Sequence, residues 1–263
     1  MIGIRKKMLC IAALLTLTFF YGCTSAPVKE TEKKETSATP LLEEIIKLNA
    51  TLPHTVTASL RIENISKEGF KSSAKLLYNV DAKKARMSIV DSVFGTQLSV
   101  VVRDNDTLYI YQPIANNLLV FDYNKFPVYS FLPFDIDVEL IDNLLIGKIP
   151  ILKNYYSVKA LQNSSEQFIL LENDTMHQTI SLKDAVPSKI LFVVKSTNTR
   201  YEIYFLKPKI DNNIFTCKAL RFVDVNGKTT FEVTMQQYMI NQAVPEAIAE
   251  LKLPKNTKII DYR

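Results

Sequence analysis

The sequence is poor in the residues from which enzymes most often build their active sites. Its 263 residues include two histidines, six glycines, three cysteines and no tryptophan. His54 and His177 are far apart, and neither has a cysteine or carboxylate at the spacing of a metal site. The scarce glycines form no phosphate-binding loop and no nucleophile elbow. We therefore expect no catalytic residue, no metal, no cofactor and no enzymatic activity.

Cysteine and positive charge are also too sparse for two other classes of protein. Cys10 lies in an N-terminal apolar run and Cys23 closes that run, so Cys217 is the one thiol expected in the mature domain. A lone thiol excludes an internal disulfide. The formal charge of +5 falls to +2 once the three basic residues at positions 5–7 are removed. This small excess, scattered among acids, argues against nucleic-acid binding.

The N-terminus has the order of a bacterial lipoprotein signal. Basic residues at 5–7 precede Met8–Phe20, an apolar run too short to span a bilayer comfortably, and a small residue then precedes Cys23. We predict a signal peptide at 1–22, a lipid on Cys23, and a polar, charge-balanced tether at 23–39. The alternatives are an uncleaved signal anchor and an ordinary secretory signal cut nearby.

The remaining residues, 40–263, are predicted to form one β-rich domain. An amphipathic helix begins at Thr39-Pro40 and ends before Pro53, and a second helix at Asp137–Ile146 is ended by Gly147. Elsewhere the hydrophobic period is two, which is typical of strands. The predicted strands are Thr55–Ile65, Lys71–Asn79, Ala85–Asp91, Thr96–Arg103, Thr107–Gln112, Asn117–Tyr123, Ser157–Leu161, Gln167–Glu172, Thr179–Leu182, Lys189–Val194, Arg200–Lys207, Ile214–Val225 and Lys228–Met239.

These strands predict a mainly β fold of the α+β class. No strand alternates with a long helix, so the sheet is antiparallel, and a sheet this large curls. Two short helices can cover its concave side without filling it, which leaves a cavity for apolar ligands. Strand alternation and helix periodicity give the candidate lining residues, each equally compatible with a dry core: Leu98, Val100, Val102, Leu108, Ile110, Leu140, Leu144, Ile203 and Phe205.

Several segments resemble the LolA/LolB family of lipoprotein localisation factors. Ala85–Ile89 followed by Ser92–Gly95 resembles a strand of the family's receptor and its apolar loop. Phe131–Pro150 resembles the receptor's Pro-led helix with the glycine and proline that follow it. Asp106–Pro113 is similar to a strand of the family's soluble carrier, and Asn241–Asp261 is similar to the carrier's C-terminal stretch.

The resemblance implies an incomplete β-barrel whose helices form a lid over a hydrophobic cavity for acyl chains. It implies that the loop containing Val93 and Phe94 passes cargo into a bilayer, and that Arg86 holds the lid closed. The alternatives are a Phe94 packed into the barrel mouth and an ordinary strand arginine. The implied partners are acyl chains of lipoproteins or lipids, a membrane reached through the N-terminal lipid, and a soluble periplasmic carrier.

The sequence therefore predicts a lipid-anchored periplasmic protein that receives or shuttles lipoproteins to the outer membrane. Thr24 follows Cys23 where some bacteria place the Asp that retains lipoproteins in the inner membrane, which favours the periplasmic face of the outer membrane. Two alternatives stand beside this function. One is a lipid or glycolipid transporter of the same fold. The other is a structural or adhesive surface lipoprotein with a filled interior.

Overall fold

Fifteen strands hydrogen-bond into one open sheet in the computed structural model of the protein, which describes residues 34–36, 38–65, 71–127, 138–225 and 229–263. Two short α-helices and a separate two-stranded sheet complete the described fold. The mainly β, α+β prediction is confirmed. The predicted signal peptide, the acylation site and most of the predicted tether lie outside the described residues.

The elements are numbered in chain order. The helices are α1 (Ala38–Ala50) and α2 (Val138–Leu145). The strands are β1 (Lys34–Thr36), β2 (Thr55–Asn64), β3 (Lys71–Asn79), β4 (Lys84–Asp91), β5 (Gln97–Asp104), β6 (Thr107–Gln112), β7 (Asn117–Asp122), β8 (Ser157–Gln162), β9 (Gln167–Glu172), β10 (Met176–Lys183), β11 (Val186–Val194), β12 (Thr199–Leu206), β13 (Lys209–Asp211), β14 (Ile214–Thr216), β15 (Ala219–Asp224), β16 (Thr229–Ile240) and β17 (Lys258–Asp261).

The sheet consists of two meanders joined at one seam. Its order is β1-β8-β9-β10-β11-β12-β15-β16-β2-β3-β4-β5-β6-β7-β17, and β13 pairs with β14 alone. The seam is the antiparallel pair of β16 and β2, which runs from Phe231 opposite Asn64 to Ile240 opposite Val56. β17 lies parallel to β7. The edge strands β1 and β17 do not pair with each other among the described strands, so the large curled sheet stays unclosed.

The strand predictions agree with the structure over most of the chain and fail around Cys217. β3, β6 and β9 have the predicted ends. The predicted strand Ile214–Val225 is wrong, because it is two strands in two different sheets. Asn212 and Asn213 have φ angles of 50° and 61°, so they form a tight turn between β13 and β14. The chain then returns to the main sheet, where the Lys218 amide donates to the Leu206 carbonyl oxygen at 2.9 Å.

Helix α1 covers the inner face of the sheet with one side. It begins at Ala38, slightly before the predicted start, and Pro40 falls in its first turn, where the missing N–H removes no helical hydrogen bond. Leu42 and Ile45 are buried in the core. Ile46 is 48% exposed, because it lies on the flank of the helix rather than beneath it.

The core lies between the helices and the inner face of the sheet. Alternate residues of β2 are buried, and they pack in one cluster with residues of both helices and of both meanders. That cluster includes Val56 and Leu60 of β2, Ile45 of α1, Leu144 of α2 and Ile180 of β10. The curled sheet and its two helices therefore share a single apolar interior on the inner face.

Gly147 ends α2 in the predicted way. Its φ is +85°, and its N–H donates to the Leu144 carbonyl oxygen at 3.3 Å. The Lys148 amide donates to the Asn143 carbonyl oxygen at 2.8 Å, which completes a left-handed C-terminal cap. A Cβ at Gly147 would lie 2.3 Å from the Phe215 carbonyl oxygen. Glycine therefore allows both the turn and the close approach of β14.

We predict that Gly147→Ala lowers the free energy of unfolding by about 3 kcal/mol, because the new methyl group adds a backbone clash to the strain of a positive φ. Gly95→Ala is the matched control. Gly95 also has a positive φ, of +67°, but nothing lies within 4 Å of the added Cβ. The Gly95→Ala variant should therefore lose only about 1 kcal/mol of unfolding free energy. Urea unfolding of both variants gives the comparison, and equal losses would contradict the close contact with Phe215.

Candidate functional site

A partly buried ion pair ties α2 to the sheet. Arg103 of β5 donates from one guanidinium nitrogen to Oδ2 of Asp142 at 2.6 Å. The same carboxylate oxygen accepts from the hydroxyls of Tyr123 at 2.7 Å and Tyr78 at 3.3 Å. The guanidinium carbon also lies 3.7 Å above the centre of the Tyr123 ring. We call this group, Arg103, Asp142, Tyr78 and Tyr123, the helix latch.

Burial governs the protonation of the helix latch. It raises the pKa of the Tyr123 and Tyr78 hydroxyls, and the charge of Asp142 adds to both effects. Both hydroxyls therefore stay protonated and act as donors. Burial also raises the pKa of the Asp142 carboxyl, while the hydrogen bonds from Tyr123 and Arg103 oppose that rise. The bonds thus offset part of the desolvation of the carboxylate, whose pKa stays above its ordinary value.

The segment after α2 is fixed at two further points. The side-chain amide of Asn49 in α1 donates to the Ile149 carbonyl oxygen at 2.7 Å and accepts from the Ile149 N–H at 2.8 Å. Gln178 of β10 is buried, donates to the Pro150 carbonyl oxygen at 2.8 Å and accepts from the Leu152 N–H at 2.7 Å. Two amide side chains therefore satisfy the polar backbone of a segment that has no helix or strand of its own.

Arg86 lies on the face of the sheet opposite to the helices. Its register partner across β4 and β5 is Val102, whereas its neighbour Ala85 faces the core and pairs with Arg103. Arg86 donates to the Glu250 carbonyl oxygen at 2.8 Å, in the C-terminal segment. This contact does not support the predicted lid latch at Arg86, and the arginine that donates to α2 is Arg103. The feature of the sequence that points to Arg103 is a charged residue at a strand position whose side chain faces the core.

The β4–β5 hairpin presents Phe94 to solvent. The Asp91 carboxylate accepts from the N–H groups of Val93 at 2.9 Å and Phe94 at 2.7 Å, and Gly95 closes the turn with its positive φ. Ser92 Oγ ties the turn to β3 by donating to the Lys71 carbonyl oxygen at 2.9 Å. Phe94 is 85% exposed and Val93 is 74% exposed. The alternative of a Phe94 packed into the barrel mouth does not fit this exposure.

Other exposed apolar residues lie at the same end of the sheet. In an antiparallel meander the β2–β3, β4–β5 and β6–β7 turns share one end. Ile65 follows β2 and is 52% exposed, while Ile114 lies in the β6–β7 turn and is 76% exposed. We call this the hairpin end. Its tips expose apolar side chains that a folded protein normally buries or uses for contact.

The nine predicted cavity residues occupy three environments. Leu108 and Ile110 form a small cluster with Phe121 and Tyr123. Val100 and Val102 are buried on the outer face of β5, and Leu98 is half-buried on that face. There a turn at Glu246–Ala249 packs over β4 and β5. The remaining four pack in or against the main core: Leu140, Leu144, Ile203 and Phe205.

The structure has a cavity of about 510 Å³ that is lined by other residues. It lies beside the β13–β14 turn and the second half of β16. Apolar residues form its interior: Ile214, Cys217, Met235, Tyr238 and Ile240. Polar residues complete its lining: Lys207, Lys209, Asp211, Asn212, Thr216 and Lys218. The sequence pattern does not predict this cavity, because the break in the strand at Cys217 creates it.

The cavity lies on the inner face, toward the end of the sheet away from Phe94. Tyr238 and Ile240 stand opposite Ala58 and Val56, which are buried on the inner face near the start of β2. The hairpin end follows the last residue of β2, ten residues along the strand. At ~3.3 Å per residue, the hairpin end lies roughly 30 Å along the strand from Ile240 and roughly 16 Å from Met235, which stands opposite Leu60.

Cys217 is a packing residue in this cavity wall. Its thiol is buried, and burial raises the pKa of Cys217 to about 12, so the reactive thiolate is scarce at neutral pH. Among the described residues, no three His, Cys, Asp or Glu side chains lie close enough to hold a metal ion. Within that same part of the chain, no helix is both long and apolar enough to cross a membrane.

The open antiparallel sheet with two helices on its inner face is a LolA-like fold, as the sequence resemblance predicts. A LolA superfamily protein from Nitrosomonas europaea aligns with a TM-score of 0.53 and 11% identity, over 82% of this chain and 98% of that one. A putative outer membrane lipoprotein-sorting protein domain from Vibrio parahaemolyticus aligns with a TM-score of 0.54 and 9% identity, over 80% and 94%.

A third solved structure with a similar fold belongs to a different named family. It is a DUF1329 family protein from Desulfovibrio piger, with a TM-score of 0.55, 12% identity, and coverage of 81% of this chain and 97% of that one. No family model matches the chain, and no curated protein matches its sequence. At these identities the similarity establishes the fold, and the site has to be judged on its own chemistry.

We predict that Asp142→Ala lowers the free energy of unfolding by about 3 kcal/mol, because it leaves the Arg103 guanidinium and the Tyr123 hydroxyl without their buried acceptor. Arg61→Ala is the control. It removes a surface ion pair with Glu63 of similar length, 2.7 Å, and should cost at most about 1 kcal/mol. Urea unfolding measures both losses. A cost for Asp142→Ala as small as that of the control would contradict the helix latch.

Proposed function

We propose that this protein is a lipid-anchored lipoprotein of the bacterial cell envelope that binds acyl chains and receives or shuttles lipoproteins to the outer membrane. The observation that carries the proposal is the cavity of about 510 Å³ with an apolar interior on the helix-covered face of the sheet. Its volume falls within the roughly 300–1,000 Å³ of small-molecule sites. The helices α1 and α2, the proposed lid, lie on the same face beside the cavity and contribute none of its lining residues, and the helix latch holds α2 in place.

The fold and the N-terminus support the same function. The Vibrio parahaemolyticus domain of this fold is described as a putative lipoprotein-sorting protein of the outer membrane. The basic, apolar and Gly22-Cys23 order of the N-terminus is that of a lipoprotein signal. A lipid on Cys23 would keep the domain at a membrane surface, and residues 24–33 would supply length to reach cargo.

The proposed mechanism uses burial of apolar surface and no covalent chemistry. Each methylene group that leaves water contributes about 0.8 kcal/mol of favourable free energy. Binding even part of an acyl chain in the cavity therefore removes much of the unfavourable free energy of its exposure to water. Transfer to an acceptor proceeds when the acceptor binds the chain more tightly. We accordingly propose that the protein is a carrier or receptor and not an enzyme.

The two apolar features have separate roles in this proposal. The cavity holds an acyl chain, and the hairpin end with Phe94 contacts the bilayer during delivery. Phe94 is directed into solvent by the Asp91 turn, so it can enter the interfacial region of a membrane without unfolding the hairpin. Because roughly 16 Å or more of strand separates the hairpin end from the cavity, changes at Phe94 should leave ligand binding unaffected.

We predict that the protein purified from its native host retains acylated lipid. Lys33–Arg263 forms one compact unit, so this segment can be expressed alone and its cooperative unfolding checked by circular dichroism. Solvent extraction and mass spectrometry should yield acylated molecules, and the emptied protein should take up a fluorescent fatty acid.

The outcomes of this extraction distinguish the three candidate functions. Lipoprotein fragments support shuttling, and recovered glycolipid would instead support a lipid transporter of the same fold. A clean extract together with no uptake of the fatty acid would contradict acyl binding. That result would favour the structural lipoprotein with a filled interior.

We predict that Phe94→Glu slows delivery of a fluorescent palmitoyl peptide to phosphatidylcholine vesicles by about thirtyfold, since burying the Phe ring contributes about 2 kcal/mol at the bilayer. Met239→Glu is the matched control, because Met239 is 46% exposed near the opposite end of the sheet. The control should deliver the peptide at the unaltered rate, and both variants should bind it with unaltered affinity. Equal rates for Phe94→Glu and the parent would remove Phe94 from the mechanism.

A further inference from the structure

We infer that the cavity beside the β13–β14 turn selects a single-chain lipid with an anionic head group, whose chain lies on the apolar interior and whose carboxylate or phosphate lies at the lysines of the rim. The inference rests on the proposed function, because it names the class of ligand for the same cavity. The shared chemistry is one apolar chain and one negatively charged head.

The interior of the cavity suits an acyl chain. Ile214 is buried, and Met235, Tyr238 and Ile240 present an apolar surface that is continuous with the core. The polar atom of Tyr238 is already used, because its hydroxyl donates to the Leu145 carbonyl oxygen at 3.1 Å. What remains for a ligand at this surface is apolar contact.

The rim of the cavity carries an excess of positive charge. Three lysines, Lys207, Lys209 and Lys218, line it together with a single acid, Asp211. All four residues are exposed. Lys209 pairs with Asp211 at 3.8 Å, a long and solvent-exposed contact that competes weakly with a better anion. Lys218 donates to the Met235 carbonyl oxygen at 3.0 Å, which holds its ammonium group next to the apolar interior.

Thr216 adds a second, independent observation at the cavity. Its side-chain oxygen is buried, and it has no hydrogen-bond partner among the residues that the structure describes. Buried hydroxyls are rarely left in this state, and each one calls for a partner. Thr216 belongs to the lining of the cavity, and rotation about its Cα–Cβ bond would bring the covered oxygen to a head-group oxygen held between the lysines, which would supply that partner.

A neutral lipid fits this lining less well than an anionic one. An ester or alcohol head brings no counter-charge to the three lysines, and it can satisfy Thr216 only. Carboxylate and phosphate oxygens accept charge-assisted hydrogen bonds, which are stronger than those of neutral groups. The basic rim therefore sets the specificity, while the apolar interior supplies affinity that any acyl chain shares.

The test is a binding comparison with the full-length protein by native mass spectrometry from detergent micelles. Two anionic probes, palmitate and palmitoyl lysophosphatidic acid, distinguish a free fatty acid from a phospholipid head group. Their partners, methyl palmitate and palmitoyl lysophosphatidylcholine, have the same chain without a net negative charge. At least one anionic probe should bind about tenfold more tightly than its partner.

Two triple variants separate local charge from overall charge. In the first, K207Q, K209Q and K218Q together remove the basic rim. The preference of about tenfold for the anionic probe should then disappear, so that the anionic probe and its partner lipid bind with about equal affinity. In the second, K75Q, K159Q and K183Q change the net charge equally at exposed positions outside the cavity lining, and the preference should remain. Neither triple variant should weaken binding of the partner lipids.

Thr216→Val tests the hydroxyl with a side chain of nearly the same shape. The urea midpoint of the empty protein should rise, because a buried and unpaired polar group is removed. Affinity for the anionic probe should fall several-fold. A purely structural role for Thr216 predicts no loss of binding, so the two opposite changes together identify a ligand contact.

The outcomes distinguish a failure of this inference from a failure of the proposed function. Equal binding of anionic and partner lipids, unchanged by loss of the three rim lysines, would overturn the inference and leave acyl binding intact. A preference that falls equally in both triple variants would also overturn it, since net charge and not the rim would then be responsible. Binding of none of the four lipids would overturn the inference and the proposed function together.

Discussion

The ion pair between Arg103 and Asp142 fixes the position of α2, and the cavity wall depends on that position. Asp142 holds the middle of the helix against β5, and Gly147 at its end lies directly against the Phe215 backbone of β14. Leu145 accepts a hydrogen bond from Tyr238, which itself lines the cavity. A buried charge pair is a costly way to attach a helix, but it permits only one register, because any shift of α2 would leave a desolvated charge.

The inner face of the sheet is packed with side chains in one region and leaves a cavity in another. Where the two helices cover the sheet, side chains such as Ile45 and Ile180 are almost completely buried and leave little room for a ligand. Space remains where the chain leaves the main sheet for the β13–β14 turn and returns at Cys217. In this protein the cavity arises from an interruption of the sheet and not from a barrel wide enough to enclose a lumen.

The outer face and one edge of the sheet are covered by the C-terminal segment. Ile248 is buried over the outer face, and Arg86 holds this segment through the Glu250 carbonyl oxygen. The chain then adds β17 beside β7 as a short parallel edge strand, and Tyr262 stacks on Phe121 with their ring centres 4.9 Å apart. Short edge strands limit pairing with other chains, which an open sheet of fifteen strands would otherwise invite.

The sequence by itself determined most of the elements and the class of fold, because a period of two and a period of 3.6 are local properties of the chain. It also determined that Phe94 lies in a turn and that Gly147 ends a helix, since both depend on adjacent residues. Only the tertiary structure decided which face of β5 is inward. Adjacent residues of a strand face opposite sides, so this choice places Arg103 on the inner face and Val102 on the outer face. It also decided that Lys207 and Lys218 meet Met235 of β16 around one cavity, because that juxtaposition requires strand pairing between distant parts of the chain.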